Sequence, residues 1–275
     1  MTILAMLPAF AVPAEAAAEE GGMETPSLAE LFPPPFAFDG SNFFELNRIS
    51  LVRIVATIAI VLLLWLGARA TRLVPGRGGG TFELLMEFVH KQVGNEILGE
   101  KAGRQYLPLL ATIFFTVLGM NVTGIVPLLN VASTSLVAMP LLLALVSFVA
   151  FVAAGIKAHG AGGYFKATLC PAGAPKAIYI ILTPIEFLSA FVLRPATLTI
   201  RLMANMVSGH FLLMAFFMMT NYLLMSAAFA MKAVAVLPFA MALAFTCFEI
   251  FVAALQAYIF TLLTAVYISL SREAH

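Results

Sequence analysis

Charged side chains are scarce in this 275-residue chain, at 11% of all residues, whereas apolar residues make up 62%. A soluble domain carries about 25% charged residues and about 45–50% apolar ones. A water-soluble fold of this length could not cover so much apolar side chain. The composition therefore excludes an ordinary soluble domain and predicts a protein for which lipid is most of the solvent.

Motifs for metal, nucleotide and nucleic-acid chemistry are also missing. The two cysteines, Cys170 and Cys247, are too far apart in sequence for a zinc or redox motif. There is no Gly-x-x-x-x-Gly-Lys-Ser/Thr phosphate loop and no basic patch interleaved with aromatic residues. We therefore predict no metal site, no cofactor and no nucleic-acid partner, and we expect no nucleotide chemistry on this chain.

The uncharged stretches are long enough for membrane spans. No Asp, Glu, Lys or Arg lies between Arg104 and Lys157, and a spanning helix needs about 20 mostly apolar residues. We predict an all-α polytopic membrane protein with five membrane-embedded helices, the last two long, tilted and forming a hairpin. The approximate spans are 51–73, 107–129, 134–156, 177–222 and 231–270, with a polar, glycine-rich loop over 157–176.

Residues 1–45 differ from the rest of the chain because they contain acidic residues but no Lys or Arg. Their apolar start resembles a signal-peptide core, although it lacks the positive region that usually precedes one. We predict an extended, non-cytoplasmic tail, with a cleaved signal as the alternative, followed by a membrane domain over 46–275.

Residues 81–103 show the pattern of an amphipathic helix. The apolar positions recur at helical spacing and lie opposite a polar face that includes Glu83, Glu87 and Lys91. This pattern is typical of a helix that lies in the membrane interface. A helix packed on the surface of a partner is the alternative.

The basic residues predict the orientation of the chain. They concentrate between the first and second spans, between the third and fourth, and after the fifth, whereas the opposite side carries only Arg48, Arg53 and Lys232. By the positive-inside rule the N-terminus lies outside and the C-terminus is cytoplasmic, as five crossings require.

Arg201 is the most informative residue of the apolar segments, because an Arg at the bilayer centre costs about 2.5–3.5 kcal/mol on insertion scales. It lies in the stretch 195–205, with no Asp or Glu within a helical turn. Its guanidinium stays protonated under ordinary conditions. We interpret it as a fixed positive charge whose anion comes from elsewhere; an Arg that snorkels or has a structural role is the alternative.

Helical phase groups other polar residues with this arginine. A rotation of about 100° per residue brings four of them within roughly 40° of Arg201: Arg194, Thr197, Asn205 and Ser208. His210 projects to the opposite side.

The last span carries its own ionisable group, Glu249, with Gln256 two turns later on the same face. Antiparallel packing of the last two helices would let His210 approach Glu249. Such a pair can pass protons, because imidazole titrates near neutrality and a neighbouring carboxylate tunes it. A buried structural pair is the alternative, and Gln256 and Asn205 could be ordinary interhelical hydrogen-bonding residues. Glu186 marks either a water-filled exit or an interfacial carboxylate.

Three stretches of the sequence together resemble subunit a of the F-type ATP synthase family. They are Arg194-Pro195 through Arg201-Leu-Met-Ala-Asn205-Met to Ser208-Gly-His210, then Leu255-Gln-Ala-Tyr-Ile-Phe-Thr-Leu-Leu-Thr-Ala-Val-Tyr-Ile268, and Asn121-Val-Thr-Gly-Ile-Val-Pro127. With the hairpin order and the topology, the resemblance covers about residues 45–272 and leaves the acidic tail outside.

This resemblance implies a proton-translocating stator subunit with two offset half-channels, which couples proton flow to ATP synthesis. Each half-channel reaches partway across the membrane and meets a rotating ring of c subunits, each of which carries a membrane-embedded carboxylate. Arg201 would face that ring, separate the channels and attract each arriving carboxylate in its ionised form.

The resemblance also implies places for the other polar residues. Asn205 and Gln256 match residues close to the arginine, and Ser208 lies on the same face. His210 and Glu249 match an acid–histidine pair of the outer half-channel, in the reverse order of some bacterial members. Asn121 would line the same path, whereas Gly124 takes a place that is acidic in some members. The inner path would be flanked by Glu186, Arg194, Thr197 and Tyr267.

The implied partners are the c-subunit ring, the b-subunit peripheral stalk, the remainder of the F1Fo complex and membrane lipid, in a bacterial plasma membrane. The chain would have no catalytic site of its own.

A secondary ion transporter with a charged midplane site is the main alternative, but such transporters usually show internal repeats, and we find no comparable halves. A non-conducting scaffold is the second. Only the synthase hypothesis requires a partner ring for any flux in reconstituted vesicles.

Overall fold

The computed structural model describes residues 48–70, 79–125, 137–169, 179–225 and 232–273, and the regular structure there is helical. Helix α1 spans Arg48–Ala70, and α2 spans Gly79–Phe88 and continues through a π-helical turn, Val89–Asn95, into α3, Glu96–Ile125. Helix α4 spans Ala138–Leu169. Helix α5, Tyr179–Phe187, leads through a second π-helical turn, Leu188–Leu193, into α6, Arg194–Met225. A 3-10 turn, Ala233–Ala235, precedes α7, Val236–Glu273.

Four of these helical stretches are long and apolar enough to cross a bilayer: Phe82–Ile125, Ala138–Leu169, Tyr179–Met225 and Ala233–Glu273. A shorter apolar helix, Leu51–Gly67, precedes them. The predicted all-α polytopic fold is confirmed. The acidic tail and most of the connections between spans lie outside the described residues.

Helix α7 is the centre of the bundle, because α3, α4 and α6 all pack against it, whereas α1 packs on the outside of α3. The buried apolar side chains form one cluster where these helices meet. Its fully buried members include Val93, Leu110, Val117, Ala144, Phe151, Leu202, Phe260 and Ile268. In lipid such contacts hold helices together by van der Waals packing, which small residues such as Ala144 strengthen by letting backbones approach.

The outer faces of the bundle are apolar. Large hydrophobic side chains that are roughly half exposed or more line α1 and α5, among them Leu66, Ile180 and Ile185. A water-soluble protein rarely exposes apolar patches on this scale. The exposed faces of these helices therefore suit contact with lipid or with another membrane subunit.

Helix α3 is broken near its start at Gly99, whose φ of +75° lies in the left-handed region that favours glycine, and the segment before Gly99 folds back on the rest of α3. Gly94 and Gly103 face each other across this corner: a Cβ on Gly103 would lie 2.6 Å from the Gly94 backbone. Phe82 stacks on Phe115, with ring centroids 5.3 Å apart. Glycine at both positions thus lets the two helices pack closely.

This packing accounts for the amphipathic pattern of residues 81–103. Val89 and Val93 are fully buried in the core cluster with α3, whereas Glu87 and Lys91 are exposed and form an ion pair. Part of the apolar face that the sequence analysis assigns to the membrane interface therefore contacts the chain's own α3. Placement of this helix in the membrane plane stays a prediction.

The predicted loop over 157–176 is wrong for its first part, because α4 continues to Leu169. The helix bends at Gly160, where φ is +73°, and Tyr164 packs on Gly155, where a Cβ would lie 2.3 Å from the tyrosine ring. Burial of Tyr164, which is 1% exposed, and the absence of proline from residues 161–169 keep this segment helical beyond the bend.

Polar contacts connect three chain segments at one end of the bundle. The Ser269 hydroxyl oxygen lies 3.4 Å from the Ile97 carbonyl oxygen, and His159 Nε2 donates to the Arg272 carbonyl at 2.8 Å. The Gly99 corner, the Gly160 bend and the C-terminal end of α7 therefore lie together. We call this the basic end, after Lys101, Arg104, Lys157, Lys166 and Arg272.

Replacing Gly103 by alanine is expected to destabilise the protein by about 1–3 kcal/mol, because the new Cβ has no room against the Gly94 backbone. Gly162→Ala is the matched control, since nothing lies within 4 Å of its Cβ position. Thermal unfolding of the purified variants in detergent measures the difference. Equal unfolding midpoints for the two variants would contradict the close approach.

Candidate functional site

Two contacts define how α6 and α7 run antiparallel to each other. A Cβ on Gly209 would lie 2.8 Å from the Glu249 carboxylate, and the Arg194 guanidinium lies 5.3 Å from the ring centroid of Tyr267. Because Tyr267 is close to the basic end, the Arg194 contact lies towards that end and the Glu249 contact lies away from it. Arg201 lies between them, about 10–12 Å along α6 from each at about 1.5 Å per residue.

Arg201 is exposed on the outer surface of α6, as is Thr197, whereas Asn205 is half-buried beside them. The Thr197 hydroxyl is satisfied within its own helix, where it donates to the Leu193 carbonyl at 2.8 Å. Arg201 forms no ion pair with any residue that the structure describes. The guanidinium therefore points out of the chain without an anion among these residues.

A cavity of about 150 Å³ lies on the side of Arg201 away from the basic end. Its polar wall comes from three helices: Asn121 of α3, Asn205 and Ser208 of α6, and Glu249 of α7. The remaining wall is mostly apolar, with Phe245 and Phe248 among its residues. A cavity of this size has room for several water molecules, for which its polar wall offers hydrogen-bond partners, and we call it the Glu249 cavity.

Glu249 is buried, with 8% of its surface exposed. Neither of its carboxylate oxygens has a hydrogen-bond partner among the described residues. A buried carboxylate without partners is costly when it is ionised. Water in the adjoining cavity, or a proton on the carboxylate, would relieve this cost, so the position suits a group that gains and loses a proton.

His210 is buried on the inward face of α6, with 6% of its surface exposed. It follows Gly209, the residue against which the Glu249 carboxylate packs. The structure thus brings Glu249 to the neighbourhood of His210, and direct contact between their side chains stays a prediction.

Gln256 is buried on α7, and its amide nitrogen has no hydrogen-bond partner among the described residues. The register between α6 and α7 places it within about one helical turn of the level of Arg201. Its free donor is available to a group that enters from outside the chain or to water.

The residues assigned to the inner path are divided by the structure. Arg194 and Tyr267 are in contact, and Thr197 lies one turn beyond Arg194 on the same helix. Glu186 is half-buried on α5, ahead of the π-helical turn, and forms no ion pair with a described residue. Across the described part of the chain, no group of three or more His, Cys, Asp or Glu side chains could hold a metal ion.

Two features of the site were not predicted from the sequence: the close approach of Gly209 to Glu249 and a buried hydroxyl pair. Glycine inside a helix costs about 1 kcal/mol relative to alanine, so its presence in α6 was a signal of close approach that could have been read. Ser147 of α4 and Thr264 of α7, both fully buried, share a hydrogen bond of 3.1 Å. Nothing in the sequence indicates that these two hydroxyl groups meet.

Comparison with known proteins gives consistent matches over most of the chain. The sequence model of the ATP synthase A chain family matches residues 50–269. The chain is 41% identical over 250 residues to ATP synthase subunit a of Rhodococcus erythropolis, covering 90% of each sequence. It is 41% identical to that of Frankia alni, covering 94% of this chain and 88% of the relative. It is 40% identical to that of Gluconacetobacter diazotrophicus, covering 80% and 85%.

Thiol labelling tests whether water fills the Glu249 cavity. In a background without Cys170 and Cys247, we expect Ser208→Cys to react with a charged thiosulfonate reagent, because only a hydrated thiol forms the reactive thiolate. Adding Gly209→Leu should slow this labelling several-fold, since the new side chain fills the cavity. Leu145→Cys, on the exposed apolar face of α4, is the control and should stay unlabelled. Equal labelling at both cysteines would argue against a water-filled cavity.

Proposed function

This chain belongs to the ATP synthase A chain family, and from that premise we propose that it presents Arg201 to a rotating ring of c subunits, between two offset half-channels. The family membership and the apolar helices make it a multi-pass membrane subunit of the proton-transporting ATP synthase. The matches favour this function over a secondary ion transporter.

The observation that carries the proposal is the outward position of Arg201. A permanent cation that faces lipid without an anion would cost about 2.5–3.5 kcal/mol even on the insertion scales that give the lowest values. Arg201 has no ion pair within the described chain. A membrane-embedded carboxylate on a neighbouring subunit supplies the missing anion, and a ring of such subunits supplies one after another.

The Glu249 cavity is our candidate for the outer half-channel. It lies on one side of Arg201 and is lined by polar groups from three helices. Glu249 and His210 would pass protons through it, because both types of side chain can titrate near the working pH once their surroundings tune them. Asn121 and Asn205 would orient the water molecules that connect Glu249 and His210 to the c-subunit ring.

The inner half-channel lies on the opposite side of Arg201, towards the basic end. Arg194, Thr197 and Tyr267 are polar residues of α6 and α7 at this level that are not fully buried. Together with Glu186 on α5 they would flank the path by which a ring acid exchanges its proton. Gln256, near the level of Arg201, would donate a hydrogen bond to the ring carboxylate as it passes.

A fixed cation between two partial channels explains how proton flow is coupled to rotation. Each elementary charge that crosses 100 mV releases about 2.3 kcal/mol, which a continuous water path would dissipate. Arg201 repels hydronium and holds the arriving ring carboxylate in its ionised form. That acid can then exchange a proton only with the half-channel on one side, so each proton moves through the ring and turns it.

We place the basic end in the cytoplasm of a bacterium, with the protein in the plasma membrane. Structural support comes from the grouping of Lys101, Arg104, Lys157, Lys166 and Arg272 at one end of the bundle, as the positive-inside rule requires of a cytoplasmic side. The peripheral stalk of b subunits and the remainder of F1Fo would hold the chain against the turning ring.

Arg201→Ala is expected to abolish ATP-driven proton pumping by the assembled complex, while passive leak through the membrane sector persists or rises. The reason is that the barrier between the two water paths and the attraction for the ring acid are both lost. Acidification of inverted membrane vesicles measures pumping. Arg104→Ala, which removes an exposed cation at the basic end, is the control and should pump normally. Coupled pumping at the control rate in Arg201→Ala would reject the proposal.

His210→Ala and Glu249→Ala are each expected to slow proton transport by roughly 10- to 100-fold. This is at or below the lower limit of about 100-fold for a positioned proton-transfer group, because water in the cavity can substitute in part. Assembly of the complex should be retained, as immunoblots of purified membranes would show. Exchanging the two residues should restore more transport than His210→Glu or Glu249→His alone. A double exchange as slow as both single variants would argue against direct contact.

A further inference from the structure

We propose that Arg194, held over the ring of Tyr267, sets the pH range in which the inner half-channel delivers protons to the ring acids. This inference rests on the proposed function, in which a ring acid takes up its proton from the basic end during ATP-driven pumping.

The Arg194–Tyr267 contact keeps a full positive charge in one place. The guanidinium lies 5.3 Å from the ring centroid, within the range of about 6 Å at which a cation and an aromatic face attract each other. Both side chains are half-buried, and Arg194 forms no ion pair with a described residue. An ion pair would neutralise the charge, whereas a ring face holds it without neutralising it.

Tyr267 is itself held by buried groups of α4. The ring of Phe151, which is fully buried, meets the Tyr267 ring edge-on with centroids 5.8 Å apart. One turn further along both helices, Ser147 and Thr264 share their buried hydrogen bond of 3.1 Å. The position of the Arg194 charge therefore depends on the core of the bundle.

The other cation–π contact among the described residues lies within a single helix. Arg69 lies 3.8 Å from the ring centroid of Trp65, but both belong to one exposed turn at the end of α1. No other helix is needed to make that contact, and water and lipid headgroups screen it. The Arg194 contact instead joins α6 to α7.

The charge of Arg194 would act on the part of the inner half-channel that lies next to it. It lies about 10 Å along α6 from Arg201 at about 1.5 Å per residue, towards the basic end. The elements packed around it carry these other charged or titratable groups towards the basic end: Lys157, His159, Tyr164 and Lys166 of α4, Tyr179 and Glu186 of α5, Arg201 of α6, and Tyr258, Arg272 and Glu273 of α7. His210 of α6 and Glu249 of α7 lie on the far side of Arg201. His159 bonds the Arg272 carbonyl and Glu273 accepts from Ser269, so these two groups are engaged at the end of α7.

The sign of the effect follows from electrostatics. A fixed positive charge repels hydronium and favours the ionised form of a nearby acid, so a ring acid beside Arg194 needs a lower pH to take up its proton. Removing the charge lets uptake continue to a higher pH. For charges about 10 Å apart, with effective dielectric constants of about 20–80, the shift is roughly 0.3–1 pH unit.

ATP-driven acidification of inverted vesicles tests this inference, because the basic end then faces the buffer. Pumping is measured across a range of buffer pH and divided by ATP hydrolysis in the presence of an uncoupler, which removes the pH dependence of the catalytic subunits. We expect Arg194→Gln to raise the pH of half-maximal pumping by roughly 0.3–1 unit, and Arg194→Lys to leave it at the wild-type value. Arg194→Met gives the same measurement if the glutamine variant assembles poorly.

Arg272→Gln is the matched control, because it removes an exposed cation at the same end of the bundle. Its midpoint should shift less, since water and salt screen that charge. Equal shifts in Arg194→Gln and Arg272→Gln, or a lower rate in Arg194→Gln without any shift, would overturn the proposal and leave Arg194 a structural residue.

The role of Tyr267 is tested by removing either its hydroxyl group or its aromatic ring. Tyr267→Phe keeps the aromatic face and should have the wild-type midpoint, whereas Tyr267→Leu should shift it in the same direction as Arg194→Gln. The double variant Arg194→Gln/Tyr267→Leu should shift no further than Arg194→Gln, because the two residues act as one unit. Additive shifts would overturn the positioning role.

Arg201→Ala in the same vesicles separates the two proposals. Loss of pumping in Arg201→Ala together with an unshifted midpoint in Arg194→Gln would reject only the role of Arg194. Normal pumping in Arg201→Ala would reject the proposed function itself.

Discussion

A guanidinium on the lipid-facing side of a helix is stable only next to an anion or water, and the architecture around Arg201 is organised by this constraint. The described residues offer it no carboxylate. The hydroxyl group of Thr197 on its face is turned back onto its own helix. In the proposed function a neighbouring subunit supplies the anion that these residues do not offer.

Close packing at glycine brings the ionisable groups into position without the help of salt bridges. Gly209 leaves a space that the Glu249 carboxylate fills, next to a cavity with room for water. The carboxylate gains no hydrogen bond from the described residues in return. A buried acid without fixed partners is unfavourable for stability, but it can exchange a proton at low cost, and that property is the one a proton path requires.

The two sides of Arg201 are built differently. The side away from the basic end has a cavity, a carboxylate and amide groups. The side towards the basic end has Arg194 over the Tyr267 ring, which packs against Phe151 of α4 near the Ser147–Thr264 hydrogen bond. A site with an acid on one side and a cation on the other favours proton loading at the first and proton release at the second. This asymmetry suits the two half-channels of the proposed function.

Composition and periodicity were enough to identify a polytopic helical membrane protein, to single out Arg201 and Glu249, and to divide α6 into an Arg201 face and a His210 face, because charge density and helical phase are local properties. Composition and periodicity could not predict which residues distant in sequence contact each other. Examples are Gly94 with Gly103, Gly209 with Glu249, Ser147 with Thr264 and Arg194 with Tyr267. An apolar helix face has the same pattern whether lipid or another helix covers it. For that reason only the tertiary structure decided that part of the apolar face of residues 81–103 packs on α3 and that α4 continues through Tyr164 to Leu169.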